Sequence, residues 1–159
     1  MKTAYLGLGS NLGDRHANLA DAIRRLTNER IRVTRTSSIW ETEPRDVLDQ
    51  PWFLNQVVEI ETGLFPRQLF QHLQRIEREM GRVKRMPKGP RLIDLDILLY
   101  GNAVVKSPEL EIPHPRMTER RFVLAPLAEL TPDLRHPVLK QTMRELLAEV
   151  AGQSANKTD

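Results

Sequence analysis

Two aspartates separated by one leucine stand inside an apolar run, Arg91-Leu92-Ile93-Asp94-Leu95-Asp96-Ile97-Leu98-Leu99-Tyr100. Side chains alternate along a strand, so Asp94 and Asp96 point the same way, with backbones about 6–7 Å apart. Leu95, Ile97 and Leu99 then point the other way, into a core. Two carboxylates on one face repel each other and lose hydration, and a cation between them removes that penalty. Magnesium suits the pair, because it takes oxygen ligands and leaves positions for water and phosphate. Two ions about 3.5–4 Å apart, bridged by such a pair, would clamp an in-line phosphoryl displacement. On spacing alone, two solvated aspartates where a strand emerges account for the pattern equally well.

A second cluster precedes the first. Arg82, Lys84, Arg85, Lys88 and Arg91 fall within ten residues, and Pro87, Gly89 and Pro90 keep that segment out of a helix. Guanidinium groups grip polyphosphate bidentately, although a basic loop is more often plain solvated surface. Further on, His114 sits between Pro113 and Pro115, with Arg116, Arg120 and Arg121 close behind. Four scattered histidines make no zinc pattern, and His114 among arginines suits a phosphate contact. Gly7-Leu8-Gly9-Ser10-Asn11-Leu12-Gly13 matches neither nucleotide-binding glycine spacing, so a tight strand-to-helix turn is the plainer reading. Gln74 and Glu77 lie one helical turn apart, as a structural polar flank or as groups facing the aspartates. Trp40, Trp52, Phe53 and Phe122 are candidates either for core packing or for stacking on a flat ring.

These residues need elements to position them. Lys2 to Gly9 reads as a strand, and Asp14 can cap a helix carrying Leu19, Ile23 and Leu26. Ile31 to Thr42 is β-branched and reads as one strand. In Phe53 to Thr62, Leu54, Val58 and Ile60 share one face, and Asn55 and Val57 the other. Pro66 opens a second helix, with Leu69, Phe70, Leu73, Ile76 and Met80 as its stripe and Gly81 at its end. Asp94 to Tyr100 closes a β-α-β-β-α-β order. That order predicts an α+β, ferredoxin-like antiparallel sheet with helices on one face and a C-terminal extension. Phe122 to Leu130 and Thr142 to Val150 read as short helices. Residues 1–151 are expected to form one domain, and 152–159 a frayed tail.

Composition narrows the class. The 159 residues suffice for a sizeable core, and a formal net charge of +3 fits an anionic small molecule or a nucleic acid. Cysteine is absent, which excludes a disulfide scaffold and a thiolate metal site. No signal-peptide core and no membrane-length apolar run occurs, so a cytoplasmic protein with no membrane partner is expected. A monomer is expected too.

The motifs together resemble the 6-hydroxymethyl-7,8-dihydropterin pyrophosphokinase family of folate biosynthesis, over about residues 3–135. The resemblance rests on Gly7 through Gly13, Ser37-Ser38, Asp49-Gln50-Pro51 with Phe53-Leu54-Asn55, and Gln74 with Ile76-Glu77. Gly81-Arg82, Gly89-Pro90-Arg91, Asp94-Leu95-Asp96 and Pro113-His114-Pro115-Arg116-Met117 through Phe122-Val123-Leu124 complete it. It implies that Asp94 and Asp96 bind two Mg2+ ions, and that Arg82, Arg91 and Asp96 act in catalysis. Arg82 and Arg91 would hold the polyphosphate of ATP, with Lys84, His114 and Arg120 nearby. Gln74, Glu77, Ile97, Leu110 and Glu111 would lie along the nucleotide. Thr42, Pro44, Phe53, Asn55 and Phe122 would form the pterin pocket. Three positions depart from the family's pattern. Glu43 to Val47 contains no glycine, Lys88 stands where some members carry an aromatic, and Thr118 stands where histidine is common.

The implied reaction is attack of a hydroxymethyl oxygen of hydroxymethyl-dihydropterin on the β-phosphorus of ATP, with AMP leaving. The residues name no obvious general base, leaving a metal-bound water or Asp96. An RNA-binding domain would explain the arginines, but the strands lack the aromatic pattern it needs, so no nucleic-acid partner is expected. A purely regulatory binding domain would leave the paired aspartates unexplained.

Overall fold

Period-two alternation in two long strands organises the molecule, whose computed structural model describes residues 1–43, 49–81 and 91–158. Strand β1 (Lys2–Ser10) lies between β4 (Phe53–Thr62) and β5 (Asp94–Tyr100), antiparallel to both. Strands β2 (Ile31–Thr36) and β3 (Trp40–Thr42) both pair with β4, giving the order β5-β1-β4 followed by β2 and β3. This is the ferredoxin-like arrangement expected from the element order.

Helix α1 (Arg15–Leu26) begins where the Asp14 carboxylate accepts the Ala17 N–H at 3.1 Å, which satisfies one of the free donors of a helix start. Helix α2 (Pro66–Glu79) has proline in its first turn and stops at Gly81, whose φ of +86° is open to glycine at little cost. Both helices pack on one face of the sheet. Leu19 and Leu26 of α1, and Leu69, Leu73 and Ile76 of α2, meet Leu6, Leu8, Leu54, Val58 and Ile60 in a fully buried core. Phe70, expected in the buried stripe, is only half-buried at its edge.

The stretch from Ile31 to Thr42 is not one strand. It breaks after Thr36, and Ser37 spans the break: its N–H donates to the Val57 carbonyl, and its Oγ accepts the Val57 N–H. The Ser37 carbonyl accepts Gln56 Nε2 at 2.9 Å, so no buried polar group is stranded there. A second departure lies in β5. The register against β1 slips between Tyr5 and Leu6, so Tyr5 pairs with Leu99 while Leu6 pairs with Ile97. This bulge turns Leu99 onto the same face as Leu98, away from Leu95 and Ile97.

That opposite face carries the C-terminal extension. After the small pair β6 (Val105–Lys106) and β7 (Glu111–Ile112) come α3 (Arg121–Leu130) and α4 (Met143–Glu149). Val123, Leu124, Leu127, Met143 and Leu146 bury Tyr5, Val57, Leu98 and Leu99. The chain after Gly152, for which the sequence pattern predicts no element, includes β8 (Asn156–Lys157), paired with β3. The Thr158 N–H and hydroxyl both donate to the Ile39 carbonyl.

Candidate active site

Helix α3 covers only part of its face of the sheet. Beyond its N-terminus a cavity of ≈ 190 Å³ opens, floored by Gly7, Gly9 and Asn55 and walled by Thr42, Phe53, Asp94, Asp96, Arg120 and Phe122. The glycines keep that floor flat. A Cβ on Gly9 would come within 3.3 Å of Asn55 Oδ1, and one on Gly7 would meet the Leu98 side chain at 3.4 Å. Gly7 and Gly9 therefore lie inside β1 and shape the site. The turn into α1 falls to Gly13, with a φ of +71°.

Asn55 is buried on β4, and its Nδ2 donates to Thr42 Oγ1 at 2.9 Å across to β3. Phe53 and Phe122 are half-buried against the same space, and the Arg120 guanidinium lies 5.5 Å from the Phe122 ring centroid. Trp40 and Trp52, the other stacking candidates, do not line this cavity. Trp40 Nε1 donates to Glu129, and Trp52 lies 40% exposed.

A second cavity, ≈ 250 Å³, lies along the outer side of β5 and is lined by Phe70, Leu95, Ile97, Leu110 and Glu111. Asp96 and His114 line both cavities and mark their junction. Asp94 and Asp96 project on one face of β5, as the alternation predicts, with Asp96 exposed and Asp94 half-buried. Arg91 Nη1 reaches Asp94 Oδ1 at 3.3 Å. Among the described residues, no group of three or more His, Cys, Asp or Glu side chains gathers into a closed cage. Two carboxylates facing an open cavity form a half-shell, which suits an ion that completes its coordination with water and phosphate oxygen.

His114 is held by its own backbone, its N–H donating to the Leu98 carbonyl at 3.0 Å. Burial, with the Arg120 and Arg116 charges acting in the same direction, pulls its pKa down from 6.5 to about 4. The ring is therefore neutral near pH 7. Nδ1 accepts the Arg116 N–H at 3.2 Å, which assigns the ring proton to Nε2. His114 is thus a neutral N–H donor, not a third cation beside the arginines.

Not every residue singled out from the sequence reaches a cavity. Gln74 is exposed on α2, and Glu77 is buried beneath β5, where its Oε2 accepts the Leu95 N–H at 2.9 Å. Neither lines either cavity. Pro44, Arg82 and Lys84 lie outside the described residues, as do Arg85 and Lys88. Conversely, Arg116, Glu43 and Gln50 line the first cavity although sequence reasoning assigned them no site role. Arg116 was legible as part of the Pro-His-Pro-Arg run. Gln50 was legible only within the Asp49-Gln50-Pro51 motif, and Glu43 only by its place in a polar loop.

Comparison with known proteins bears on this geometry. A family model described as 7,8-dihydro-6-hydroxymethylpterin-pyrophosphokinase (HPPK) matches residues 5–132. The 2-amino-4-hydroxy-6-hydroxymethyldihydropteridine pyrophosphokinase of Bacillus subtilis (strain 168) is 49% identical over 128 residues, covering 80% of this chain and 77% of that protein. The folic acid synthesis protein fol1 of Pneumocystis carinii is 49% identical over 137 residues, which span 86% of this chain but only 18% of that protein. A crystal structure of Plasmodium falciparum HPPK-DHPS A437G with SDX-DHP superimposes with a TM-score of 0.76, at 17% identity, over 95% of this chain and 46% of that one. At that identity the superposition establishes the fold. The matched span, the identity and the fold agree, and the chain belongs to the 7,8-dihydro-6-hydroxymethylpterin-pyrophosphokinase family.

Proposed function

We propose that this chain transfers the terminal pyrophosphoryl group of ATP to 6-hydroxymethyl-7,8-dihydropterin in folate synthesis, giving AMP and the pterin methyl diphosphate. The observation that carries this reading is the meeting of two differently lined cavities at Asp96 and His114. The first offers two aromatic rings and the Asn55 amide to a flat heterocycle. The second offers Phe70, Ile97 and Leu110 to a nucleoside. A polyphosphate laid from the second toward the first crosses the junction and enters the first cavity, which Arg91 and Arg120 line.

Bond making and breaking are simple. The hydroxymethyl oxygen bonds to the β-phosphorus, the bond from that phosphorus to the α-bridging oxygen breaks, and the hydroxyl proton is released. Catalysis is then mainly positioning and charge neutralisation. Phe53 and Phe122 hold the pterin plane, and Asn55 supplies polar recognition. His114 donates Nε2–H to a phosphate oxygen without adding charge. Arg91 and Arg120 bind phosphate oxygens, as do Arg82 and Lys84. Thr42 and Pro44 border the pterin and Glu111 the nucleotide. Gln74 and Glu77, which line neither cavity, would serve the nucleotide side from α2, Glu77 through its bond to the Leu95 N–H. Asp94 and Asp96 would hold two Mg2+ ions, which supply charge neutralisation and polarise the phosphates. The chain would act as a cytoplasmic monomer, with residues 1–151 as the catalytic unit and no nucleic-acid or membrane partner. Among the described residues, no helix is long and apolar enough to cross a membrane.

The test is formation of AMP from ATP and magnesium, followed by chromatography and phosphorus NMR. AMP and a diphosphate ester should appear together, and only when hydroxymethyl-dihydropterin is present. ADP formation, or AMP without the pterin, refutes the proposal.

A further inference from the structure

Asn11 lies just past the end of β1, only 1% exposed, and lines neither cavity. Its side chain is nevertheless engaged at both ends. Oδ1 accepts the Arg91 N–H at 2.7 Å, and the Asn11 backbone N–H donates to the Arg91 carbonyl at 3.0 Å. Nδ2 donates to Gln50 Oε1 at 2.7 Å and to the Pro51 carbonyl at 3.0 Å. A backbone N–H can only donate and a carbonyl can only accept, so the amide fits one way round.

Its two sets of partners reach the site from different sides. Arg91 leads into β5, which carries Asp94 and Asp96. Gln50 and Pro51 lead into β4, which carries Phe53 and Asn55. Gln50 and Arg91 themselves line the first cavity. We infer that Asn11 is a positioning residue that holds the pterin-binding approach to β4 in register with the phosphate-binding approach to β5. The inference deepens the proposed function and rests on it. In-line displacement needs the hydroxymethyl oxygen and the β-phosphorus aligned, and a shift of about 1 Å between the two halves costs rate steeply.

Asn11→Asp separates the two ends of the amide. The variant is nearly isosteric and keeps the acceptor for the Arg91 N–H. It loses the donor to Pro51 and Gln50 and sets a carboxylate oxygen against them. Calorimetric titration should show pterin binding weakened about tenfold, equivalent to about 1.4 kcal/mol, because one buried carbonyl is left without its donor. Affinity for a non-hydrolysable ATP analogue with magnesium should change by less than about twofold. Gln50→Met should shift pterin affinity in the same direction by less, since the Pro51 carbonyl keeps its bond, and it covers the case that Asn11→Asp fails to fold. Equal weakening of pterin and nucleotide overturns the inference. So does unchanged pterin affinity in the folded variants, whether or not melting temperature falls. The parent chain is titrated and assayed alongside. If it binds both ligands but forms no AMP, the proposed function fails while the affinity split still judges Asn11.

Discussion

His114→Asn tests whether the ring at the cavity junction is neutral because it is buried among arginines. An asparagine Oδ1 can stand in for Nδ1 as acceptor of the Arg116 N–H, so the local turn has a replacement contact. In the unfolded chain His114 takes up its proton near pH 6.5, and in the folded protein near pH 4. Below 6.5 the unfolded state therefore binds more protons, and the fold loses stability as pH falls, until both states are protonated. The gap between 6.5 and about 4 corresponds to about 3 kcal/mol at the low-pH end, most of it lost by about pH 4.5. His72 and His136 are also lowered, chiefly by burial, and add to the parent's acid sensitivity. Glu59, lowered from 4.5 to about 2 chiefly by Arg35, adds its share only as pH falls below about 4.5. Subtracting the variant's profile from the parent's removes these shared contributions. Urea unfolding of the ligand-free proteins from about pH 7.5 to 4.5 should show the parent losing about 2–3 kcal/mol more than His114→Asn. Parallel profiles would refute the reasoning, as would an NMR titration that places the His114 ring near its ordinary value.

Asp94→Ala and Asp96→Ala should each abolish most turnover at saturating magnesium. The melt of metal-free Asp96→Ala should hold or rise, because a like-charge pair is relieved; in Asp94→Ala loss of the Arg91 contact offsets that relief. Near-normal turnover in either variant would exclude the carboxylate pair as the metal holder. Arg91→Ala should lower turnover more than it weakens pterin binding, since a phosphate contact acts on the transferred group; a matching loss of pterin affinity by titration speaks against that role. Phe53→Ala and Phe122→Ala should each weaken pterin binding by about 1–3 kcal/mol with little change in melting temperature. A sharp drop in melting, with normal binding by the remaining folded protein, would mark these rings as packing residues.

The order of elements was readable from periodicity because each long element buries one side. The α2 stripe and the alternation in β4 leave few other choices. What escaped the sequence is where one side chain's direction depends on a distant partner. Leu99 was expected beside Leu95 and Ile97, but the slip opposite Tyr5 and Leu6 reverses it, and nothing local announces a bulge set by register against β1. Ser37 sits in a β-branched run that reads as continuous strand. Only the free Val57 backbone on β4 explains why a serine interrupts it. Asp94 and Asp96 were legible because their spacing matches the strand period. Asn11 was not, because its chemistry lies in partners 39 to 80 residues away.

The interruption at Ser37 also explains why the site is open. Helix α3 must cover one end of the sheet and stop short of the glycine floor. Apolar packing of Val123, Leu124 and Leu127 favours contact but does not fix where along the sheet the helix sits. Directional bonds near its C-terminal end do. Glu129 accepts the Ser38 N–H and hydroxyl and the Trp40 Nε1, while the Leu130 carbonyl accepts Arg35 Nη1 at 2.7 Å. The Ser38 N–H falls in the gap between β2 and β3, so it points to a helix side chain instead of joining a ladder. With the helix fixed there, its first turn sets Phe122 against the cavity opposite Phe53, and Arg120, one residue earlier, at the wall. Without the Ser38 and Trp40 donors Glu129 would lose its partners, and the anchor would go. The break in the strand and the ring at the start of α3 are therefore two ends of one positioning device.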